Sequence, residues 1–300
     1  MTLHQFFQIV EMRTKIISMG TFFSALVYVF VSEGSLFFTK ALIMALATLC
    51  VDMGTTGFNT FFDYYHGTDN RHYTKEEEKV LVHQDINPLY ALLVSLALFG
   101  FAAALGLYLA YLTSFYLIVV GSLCMVVGFF YTAGPYPISR TPFGELFAGM
   151  FLGTTLFLIT LYTQEKSIAW EQILVSLPFL LLIAMILSVN NGCDRIGDKA
   201  SGRKTLAVLL GPQKASYLIA VEAYGAYALS FLLIVIGSYP LTMIPALLII
   251  VLEFAFSYKN VIREGLDEDH KSKHMGFAAK TYFHFCLAFM LSFFISLVMS

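Results

Sequence analysis

The sequence predicts an all-α integral membrane protein with about nine transmembrane helices bundled around a central cavity. Of its 300 residues, 58% are hydrophobic and only 13% are charged, whereas a soluble domain carries about 25% charged residues. Apolar stretches long enough to cross a bilayer recur along the whole chain, and the basic residues between them favour one side. No basic tract is present that would bind the phosphate backbone of a nucleic acid, which argues against nucleic acid as a partner.

A helix needs about 20 apolar residues to cross the hydrocarbon core. Charged residues, Gly and Pro divide the chain into segments close to that length. The predicted helices are 16–31, 39–61, 89–111, 115–132, 146–163, 173–189, 215–236, 241–257 and 278–298. The first is a membrane helix rather than a signal peptide, because it lacks a small-residue cleavage pattern and more apolar segments follow it. We expect a single transmembrane domain over residues 1–300.

The placement of Lys and Arg predicts the orientation in the membrane. With nine helices, sixteen of the eighteen basic residues fall on the side of the N-terminus, and only Lys40 and Lys166 fall on the other. Cytoplasmic loops carry an excess of Lys and Arg, so the N-terminus and the long polar loops at about 62–88, 190–214 and 259–280 are predicted to be cytoplasmic. No organelle-type presequence precedes the first helix, which favours a bacterial plasma membrane.

Two clusters of acidic and amide side chains begin where predicted helices two and six reach the cytoplasmic face. The first, NTFFDYYHGTD, contains Asn59 and Asp63, and the second, NNGCDRIGDK, contains Asn190, Asp194 and Asp198. Residues four apart lie on one helical face, with Cβ atoms roughly 5–6 Å apart, so each cluster can present its oxygen atoms to one point. The two helices lie four helices apart in the order, which hints at an internal duplication.

Carboxylate and amide oxygens suit Mg²⁺, which binds one or two carboxylates together with waters and substrate phosphates. Two facing clusters predict a site where Mg²⁺ holds a diphosphate and neutralises its charge as it leaves. Helix caps or solvated loop residues are the alternative, but two clusters on one side favour the metal site. The predicted Mg²⁺ ligands are Asn59, Asp63, Asp69, Asn190, Asp194 and Asp198. The predicted diphosphate-binding side chains are Arg71, Lys75, Arg203 and Lys204 directly, and Asn59 and Asn190 through the metal.

At these residues the sequence resembles the UbiA superfamily of intramembrane aromatic prenyltransferases. Within that superfamily it resembles the 1,4-dihydroxy-2-naphthoate prenyltransferases of menaquinone biosynthesis. The most specific stretch is NNGCDRIGDKASGRKTLAVLLG at 190–211. The sequence GPYPI at 134–138, followed by GEL at 144–146, and the first acidic cluster also fit the family pattern.

The resemblance implies nine helices, two aspartate-rich motifs and Mg²⁺-dependent transfer of a polyprenyl group from its diphosphate to an aromatic acceptor. Loss of diphosphate would leave an allylic cation that the acceptor ring attacks, with Asp63, Asp194 and Asp198 as the catalytic carboxylates. For this branch the implied acceptor is 1,4-dihydroxy-2-naphthoate, which loses its carboxylate and gives demethylmenaquinol.

Three departures from the family pattern lie near the predicted ligands. Thr60 follows Asn59 where the family often has Asp, Cys193 precedes Asp194 where Arg is usual, and Arg140 is present where a Tyr is usual. They leave the metal chemistry intact, and they leave open another acceptor, such as 4-hydroxybenzoate or a related quinone precursor. A membrane transporter is a further alternative, but it predicts charges at mid-span rather than at helix ends.

Three acids outside the two clusters lie in or beside apolar segments. Glu145, beside predicted helix five, either orients the acceptor or acts as a base, or it is a first-turn acid that suits the helix dipole; we include it among the candidate catalytic residues. Glu222 and Glu253 fall inside apolar segments, where a charge costs about 2.5–3.5 kcal/mol on insertion scales. Protonation, a partner on another helix, or an interfacial position would each explain them.

Overall fold

The computed structural model describes residues 2–69, 74–75, 79–84 and 86–299, and the regular structure within them is helical. A π-helical segment, Gly149–Thr155, joins α7 to α8 without a break. The α-helices in chain order are α1 (Leu3–Ile9), α2 (Ile16–Glu33), α3 (Phe38–Tyr65), α4 (Val80–His83), α5 (Leu89–Leu112), α6 (Tyr116–Phe130), α7 (Gly144–Ala148), α8 (Leu156–Glu165), α9 (Trp170–Cys193), α10 (Arg195–Ala200), α11 (Leu206–Val235), α12 (Met243–Glu264) and α13 (Lys271–Met299).

Within these ranges, eight helices are long and apolar enough to cross a membrane, as the predicted all-α membrane fold requires. They are α2 with the short 3₁₀ turn before it, α3, α5, the continuous α7–α8 segment, α9, α11, α12 and α13. The fourth predicted segment, 115–132, is also helical, but α6 has 15 residues, fewer than the roughly 20 that cross the hydrocarbon core. The count of nine and the cytoplasmic N-terminus stay predictions.

Three helices continue past the ends that hydropathy predicts. α3 ends at Tyr65 rather than 61, α9 ends at Cys193 rather than 189, and α13 begins at Lys271 rather than 278. Hydropathy marks where the side chains become polar, whereas the backbone hydrogen bonds of a helix continue beyond that point. The three predicted polar loops are correspondingly shorter, and both acidic clusters begin on helical turns.

Each acidic cluster begins on a helix that packs along the helix following its polar loop. α3 packs along α5, and α9 packs along α11, which is the arrangement that an internal duplication predicts. The main hydrophobic core joins α2, α8, α9, α11, α12 and α13. At its centre the Phe179 ring on α9 contacts Phe157, Phe285 and Phe289 at centroid distances of 5.2–5.3 Å. This aromatic packing holds α9, and with it the second acidic cluster.

A kink divides α11 near its N-terminus. Gly211 has a φ of +78° and is followed by Pro212. Glycine adopts positive φ readily, and proline lacks the N–H that would continue the helical hydrogen bonds. The predicted transmembrane segment at 215–236 begins just after this kink. The N-terminus of α11, before the kink, is capped by Thr205, whose Oγ1 accepts a hydrogen bond from the N–H of Val208.

Gly149 and Gly153 allow the π-helical segment to contact the backbone of α9. A Cβ atom at Gly149 would clash with the carbonyl oxygen of Leu180, and one at Gly153 would lie 2.6 Å from the amide nitrogen of Leu180. Small residues four apart permit this close approach between membrane helices. We expect Gly153→Ala to lower the unfolding temperature in detergent, since overpacking typically costs about 1–3 kcal/mol.

Gly106→Ala on α5 is the matched control, because a Cβ atom there meets no neighbouring atom within 4 Å among the described residues. This variant should unfold at or above the wild-type temperature, since Ala is a better helix former than Gly. An unchanged unfolding temperature for Gly153→Ala would show that the fold does not depend on this backbone contact.

Candidate active site

Arg203 connects the two acidic clusters. Its Nη1 donates a hydrogen bond to Asp198 Oδ1 at 2.9 Å, and its Nη2 lies 3.5 Å from Asp63 Oδ1. Asp63 is on the last turns of α3, and Asp198 is on α10, directly after α9. Both aspartates are buried. The two clusters, 135 positions apart in sequence at these aspartates, therefore meet at one guanidinium group.

Burial and pairing determine the charges at this meeting point. Burial raises the pKa of Asp198 to about 6, and the guanidinium of Arg203 opposes that rise. Burial also works against the charge of Arg203, but the carboxylates of Asp63 and Asp198 outweigh it, so the pKa of the guanidinium lies above its ordinary value. Arg203 is therefore a permanent positive charge between one acid from each cluster.

Two further predicted Mg²⁺ ligands form ion pairs with lysines. Asp194 Oδ1 lies 2.8 Å from the Nζ of Lys271, the first residue of α13. Asp69 Oδ2 lies 3.4 Å from the Nζ of Lys79, which also contacts Glu11 at 3.0 Å. Neither lysine is among the residues predicted for the site from the sequence. Nothing in the sequence around them marks them, because only the fold brings them to the clusters.

Asn59 and Asn190, the predicted amide ligands, lie one turn before the first aspartate of their clusters, on α3 and α9, and both are partly buried. Thr60, a departure from the family pattern, has a structural role. Its Oγ1 donates a hydrogen bond to the carbonyl of Ile9 at 3.0 Å, which ties α1 to α3. This departure therefore leaves the neighbouring amide available as a ligand.

The four cations predicted to bind diphosphate have different surroundings. Arg203 lies at the centre, as described. Lys204 is exposed, and its backbone N–H donates to the carbonyl of Arg140 at 2.9 Å. Lys75 is exposed and forms a 2.7 Å ion pair with an aspartate in the loop between α12 and α13. Arg71 lies outside the described residues. Among the members of this set that the structure describes, Arg203 has the least exposed side chain, at 10%.

The donor set at the meeting point fits a hard divalent cation. Asp63 and Asp198 bring carboxylates from two helices to one guanidinium, and Asp198 Oδ2 is buried with no hydrogen-bond partner among the described residues. In that part of the chain, no three His, Cys, Asp or Glu side chains are already gathered around one point. The aspartates of the two clusters are instead paired with Arg203, Lys271 and Lys79.

Glu145 lies on the first turn of α7 and is almost completely buried. Its Oε1 accepts a hydrogen bond from Asn191 Nδ2 at 2.8 Å. Asn191 belongs to the second acidic cluster but was not among the predicted site residues. Its position one residue after Asn190 does not indicate that its side chain contacts α7. This contact places Glu145 against the helix that carries the second cluster.

Tyr131 contacts the residue that precedes Glu145. Its Oη donates a hydrogen bond to the carbonyl of Gly144 at 3.3 Å. This hydrogen bond ties the C-terminal end of α6 to the turn of α7 that carries Glu145.

The family of the chain follows from its match over residues 19–296, which fit the UbiA prenyltransferase family. The chain belongs to this family. A 1,4-dihydroxy-2-naphthoate octaprenyltransferase from Bacillus subtilis is 36% identical to it over 200 residues, which cover 66% of this chain and 63% of that relative. The match therefore spans slightly less than two thirds of the relative's length. The resemblance that the acidic clusters indicated is confirmed.

Two solved structures share the UbiA fold of this chain. A UbiA homolog from Aeropyrum pernix K1, in its apo form, gives a TM-score of 0.68 at 14% identity and covers 98% of both chains. A UbiA homolog from Archaeoglobus fulgidus, bound to DMAPP and Mg²⁺, gives a TM-score of 0.66 at 13% identity and covers 95% of this chain and 99% of that one. At these identities the likeness shows the fold, an all-helical multi-pass membrane architecture.

Proposed function

We propose that this UbiA-family protein transfers a polyprenyl group from its diphosphate to 1,4-dihydroxy-2-naphthoate, giving demethylmenaquinol. The observation that carries the proposal is the meeting of Asp63 and Asp198, one from each acidic cluster, at Arg203. The Bacillus subtilis relative carries the name of this activity. The Archaeoglobus fulgidus homolog binds DMAPP and Mg²⁺ with the same fold. Both facts support Mg²⁺-dependent prenyl transfer by this chain.

The two acidic clusters would hold Mg²⁺ and, through it, the diphosphate. The proposed ligands are Asn59, Asp63, Asp69, Asn190, Asp194 and Asp198. When bound, Mg²⁺ neutralises the charge that develops on the leaving diphosphate. Arg203 presents a planar fork of N–H donors that suits phosphate oxygens. Lys204, Lys75 and Arg71 are the further cations proposed to contact the diphosphate.

The acceptor is proposed to bind deeper in the bundle than the diphosphate. Asn191 precedes Asp194 by one turn of α9, on the side of the membrane interior, and it holds Glu145. Glu145 would then orient the acceptor ring or accept a proton from it. The prenyl tail would pack against the apolar helix faces around the site and open to lipid.

The proposed setting is the bacterial plasma membrane, with both acidic clusters on its cytoplasmic side. In the predicted nine-helix topology, sixteen of the eighteen Lys and Arg residues lie on that side, as the positive-inside rule expects. Both prenyl diphosphate and a soluble aromatic acceptor would then reach the site from the cytoplasm or from the inner leaflet.

An acceptor panel tests the proposed function. The purified protein in detergent is assayed with Mg²⁺ and a polyprenyl diphosphate, and product is followed for each acceptor. We expect prenylation of 1,4-dihydroxy-2-naphthoate, and we expect the product to vanish when EDTA removes Mg²⁺. Prenylation of 4-hydroxybenzoate alone would keep the enzyme class and overturn the acceptor. No release of diphosphate with any acceptor would overturn the proposed activity.

A further inference from the structure

Four carboxylic acids are buried in the part of the chain that the structure describes, and they fall into two pairs. Asp63 and Asp198 share the guanidinium of Arg203. Glu145 and Glu222 have only neutral hydrogen-bond donors: Asn191 Nδ2 donates to Glu145 at 2.8 Å, and Ser188 Oγ donates to Glu222 at 3.0 Å. No ion pair therefore explains why Glu145 and Glu222 are buried.

The two neutral donors place Glu145 and Glu222 along one face of α9. Ser188 and Asn191 are three residues apart on this helix, and residues at i and i+3 are surface neighbours. Glu145 reaches this face from α7, and Glu222 reaches it from α11. Since Asn191 precedes the first aspartate of its cluster by one turn, and Ser188 lies one turn further in, a polar track leads from the diphosphate site into the bundle.

One carboxyl oxygen of each glutamate is still unsatisfied. Glu145 Oε2 and Glu222 Oε2 are both buried, and neither has a hydrogen-bond partner among the described residues. Buried polar atoms in native proteins are nearly always hydrogen-bonded, and an exception needs an explanation such as a ligand. Ionisable groups inside membrane helices are expensive and usually functional. Two such atoms on one track therefore indicate a ligand that brings two hydrogen-bond donors.

We propose that Glu145 and Glu222 form the two ends of an acceptor subsite that binds an aromatic ring carrying two hydroxyl groups. Each hydroxyl donates to one of the unsatisfied carboxyl oxygens. Glu222 is then a specificity-determining residue, since a monophenol would leave one of the two oxygens unpaired. This subsite rests on the proposed function, and it selects a dihydroxy aromatic acceptor over a monohydroxy acceptor such as 4-hydroxybenzoate.

Glu253 shows how an acid that needs no ligand is arranged in the same protein. It also lies within a membrane-spanning helix, α12, but it is paired with Lys280 at 2.7 Å and with His284 at 2.7 Å. All three side chains are partly exposed. Glu222 has neither a charged partner nor exposure to solvent, because it is buried and its donor is a serine hydroxyl. Glu253→Gln is therefore a matched control for the loss of an acid within a membrane helix.

The subsite is tested by a thermodynamic cycle that combines a substitution in the enzyme with the removal of one hydroxyl from the acceptor. Wild type, Glu222→Leu, Glu222→Gln and Glu253→Gln are assayed with 1,4-dihydroxy-2-naphthoate, 1-hydroxy-2-naphthoate and 4-hydroxy-2-naphthoate. Removing a hydroxyl also changes the reactivity of the ring, but that change is common to all enzyme forms and cancels in the cycle. The measured quantity is the loss of kcat/KM when one hydroxyl is removed from the acceptor.

For one of the two analogues, we expect this loss to be about 10- to 100-fold smaller in Glu222→Leu than in wild type. In wild type, the missing hydroxyl leaves a buried carboxyl oxygen unpaired, and Glu222→Leu has no such oxygen. Glu253→Gln should keep the wild-type loss for both analogues, and the KM for prenyl diphosphate should not change in Glu222→Leu. If Glu222→Leu does not fold, Glu222→Gln keeps the shape of the side chain and should also reduce the loss.

Two outcomes would contradict the proposals, and they differ. The subsite is overturned if the wild type is active and both Glu222 variants fold but show the wild-type loss of kcat/KM for both analogues. The proposed function would then still stand. A wild type that prenylates none of the three acceptors overturns the proposed function, and the subsite with it.

Discussion

Asp198→Asn should reduce prenyl transfer by on the order of 10²–10³-fold, the loss seen when one preorganised electrostatic contact to a transition state is removed. Asp198 is buried beside Arg203, and its Oδ2 has no hydrogen-bond partner among the described residues. The substitution keeps the shape of the side chain and removes the charge that would hold Mg²⁺. Asp63→Asn in the other cluster should have a loss of the same order. The measurement is kcat for product formation at saturating Mg²⁺.

Asp267→Asn is the control for these variants. Asp267 lies in the polar loop before α13, is partly exposed and bonds His270 at 2.8 Å, so its loss should leave kcat within about twofold, as is usual for surface substitutions. Wild-type kcat in Asp198→Asn would remove this aspartate from the metal site. A large loss in Asp267→Asn would show that the assay reports general damage rather than a specific ligand.

Arg203→Met should lower both the stability and the activity of the protein. The side chains of Arg203, Asp63 and Asp198 are 10%, 9% and 2% exposed, and removing one partner from a buried ion pair costs about 3–5 kcal/mol because a charge is left unpaired. Arg203→Lys keeps the charge but lacks the planar fork of donors, so it should be intermediate. The unfolding temperature in detergent and kcat are measured together.

The stability loss in Arg203→Met should depend on pH. The pKa of Asp198 is already raised to about 6 in the presence of Arg203. Without Arg203 this acid is therefore neutral at pH 5, and its unpaired charge destabilises the fold only at higher pH. A carboxyl group whose pKa is higher in the folded than in the unfolded state stabilises the fold when it is protonated. That stabilisation is lost as the pH rises through the folded-state pKa. The difference in unfolding temperature from wild type should therefore be smaller at pH 5 than at pH 8.

Lys199→Met is the control for Arg203→Met, because Lys199 is an exposed cation on α10, close to Asp198 in sequence. It should change neither the unfolding temperature nor its pH dependence. A stability deficit in Arg203→Met that stays the same from pH 5 to pH 8 would contradict the account of Arg203 as the partner of two buried acids.

The sequence predicted the helical membrane fold and the polar ends of α3 and α9, because hydropathy and helical spacing are local properties. It also predicted that Asp63 and Asp198 lie in one site. Asp63 lies at the end of α3 and Asp198 follows α9, and both helices reach the same predicted face. The predicted helix ends were wrong: α9, for example, continues to Cys193. The backbone hydrogen bonds there continue past the point where the side chains become polar.

The parts that the sequence did not predict depend on contacts between distant segments. Lys271 meets Asp194 across 77 positions, and Asn191 meets Glu145 across 46. A lysine in a charged loop and a second asparagine in a cluster carry no local signal of their partners. Glu222 was visible as an acid in an apolar segment, but only the fold shows that its donor is Ser188. Pairings of this kind can be predicted only when the packing of α7 and α11 on α9 is known.

The central claim is that both acidic clusters form one Mg²⁺–diphosphate site. The most direct test is the binding of a prenyl thiolodiphosphate, whose carbon–sulfur bond resists cleavage, to wild type, Asp63→Asn and Asp194→Asn, with and without Mg²⁺. We predict Mg²⁺-dependent binding to wild type and its loss in both variants, since each removes a ligand from a different cluster. Mg²⁺-dependent binding that survives in either variant at wild-type affinity would contradict a single shared site.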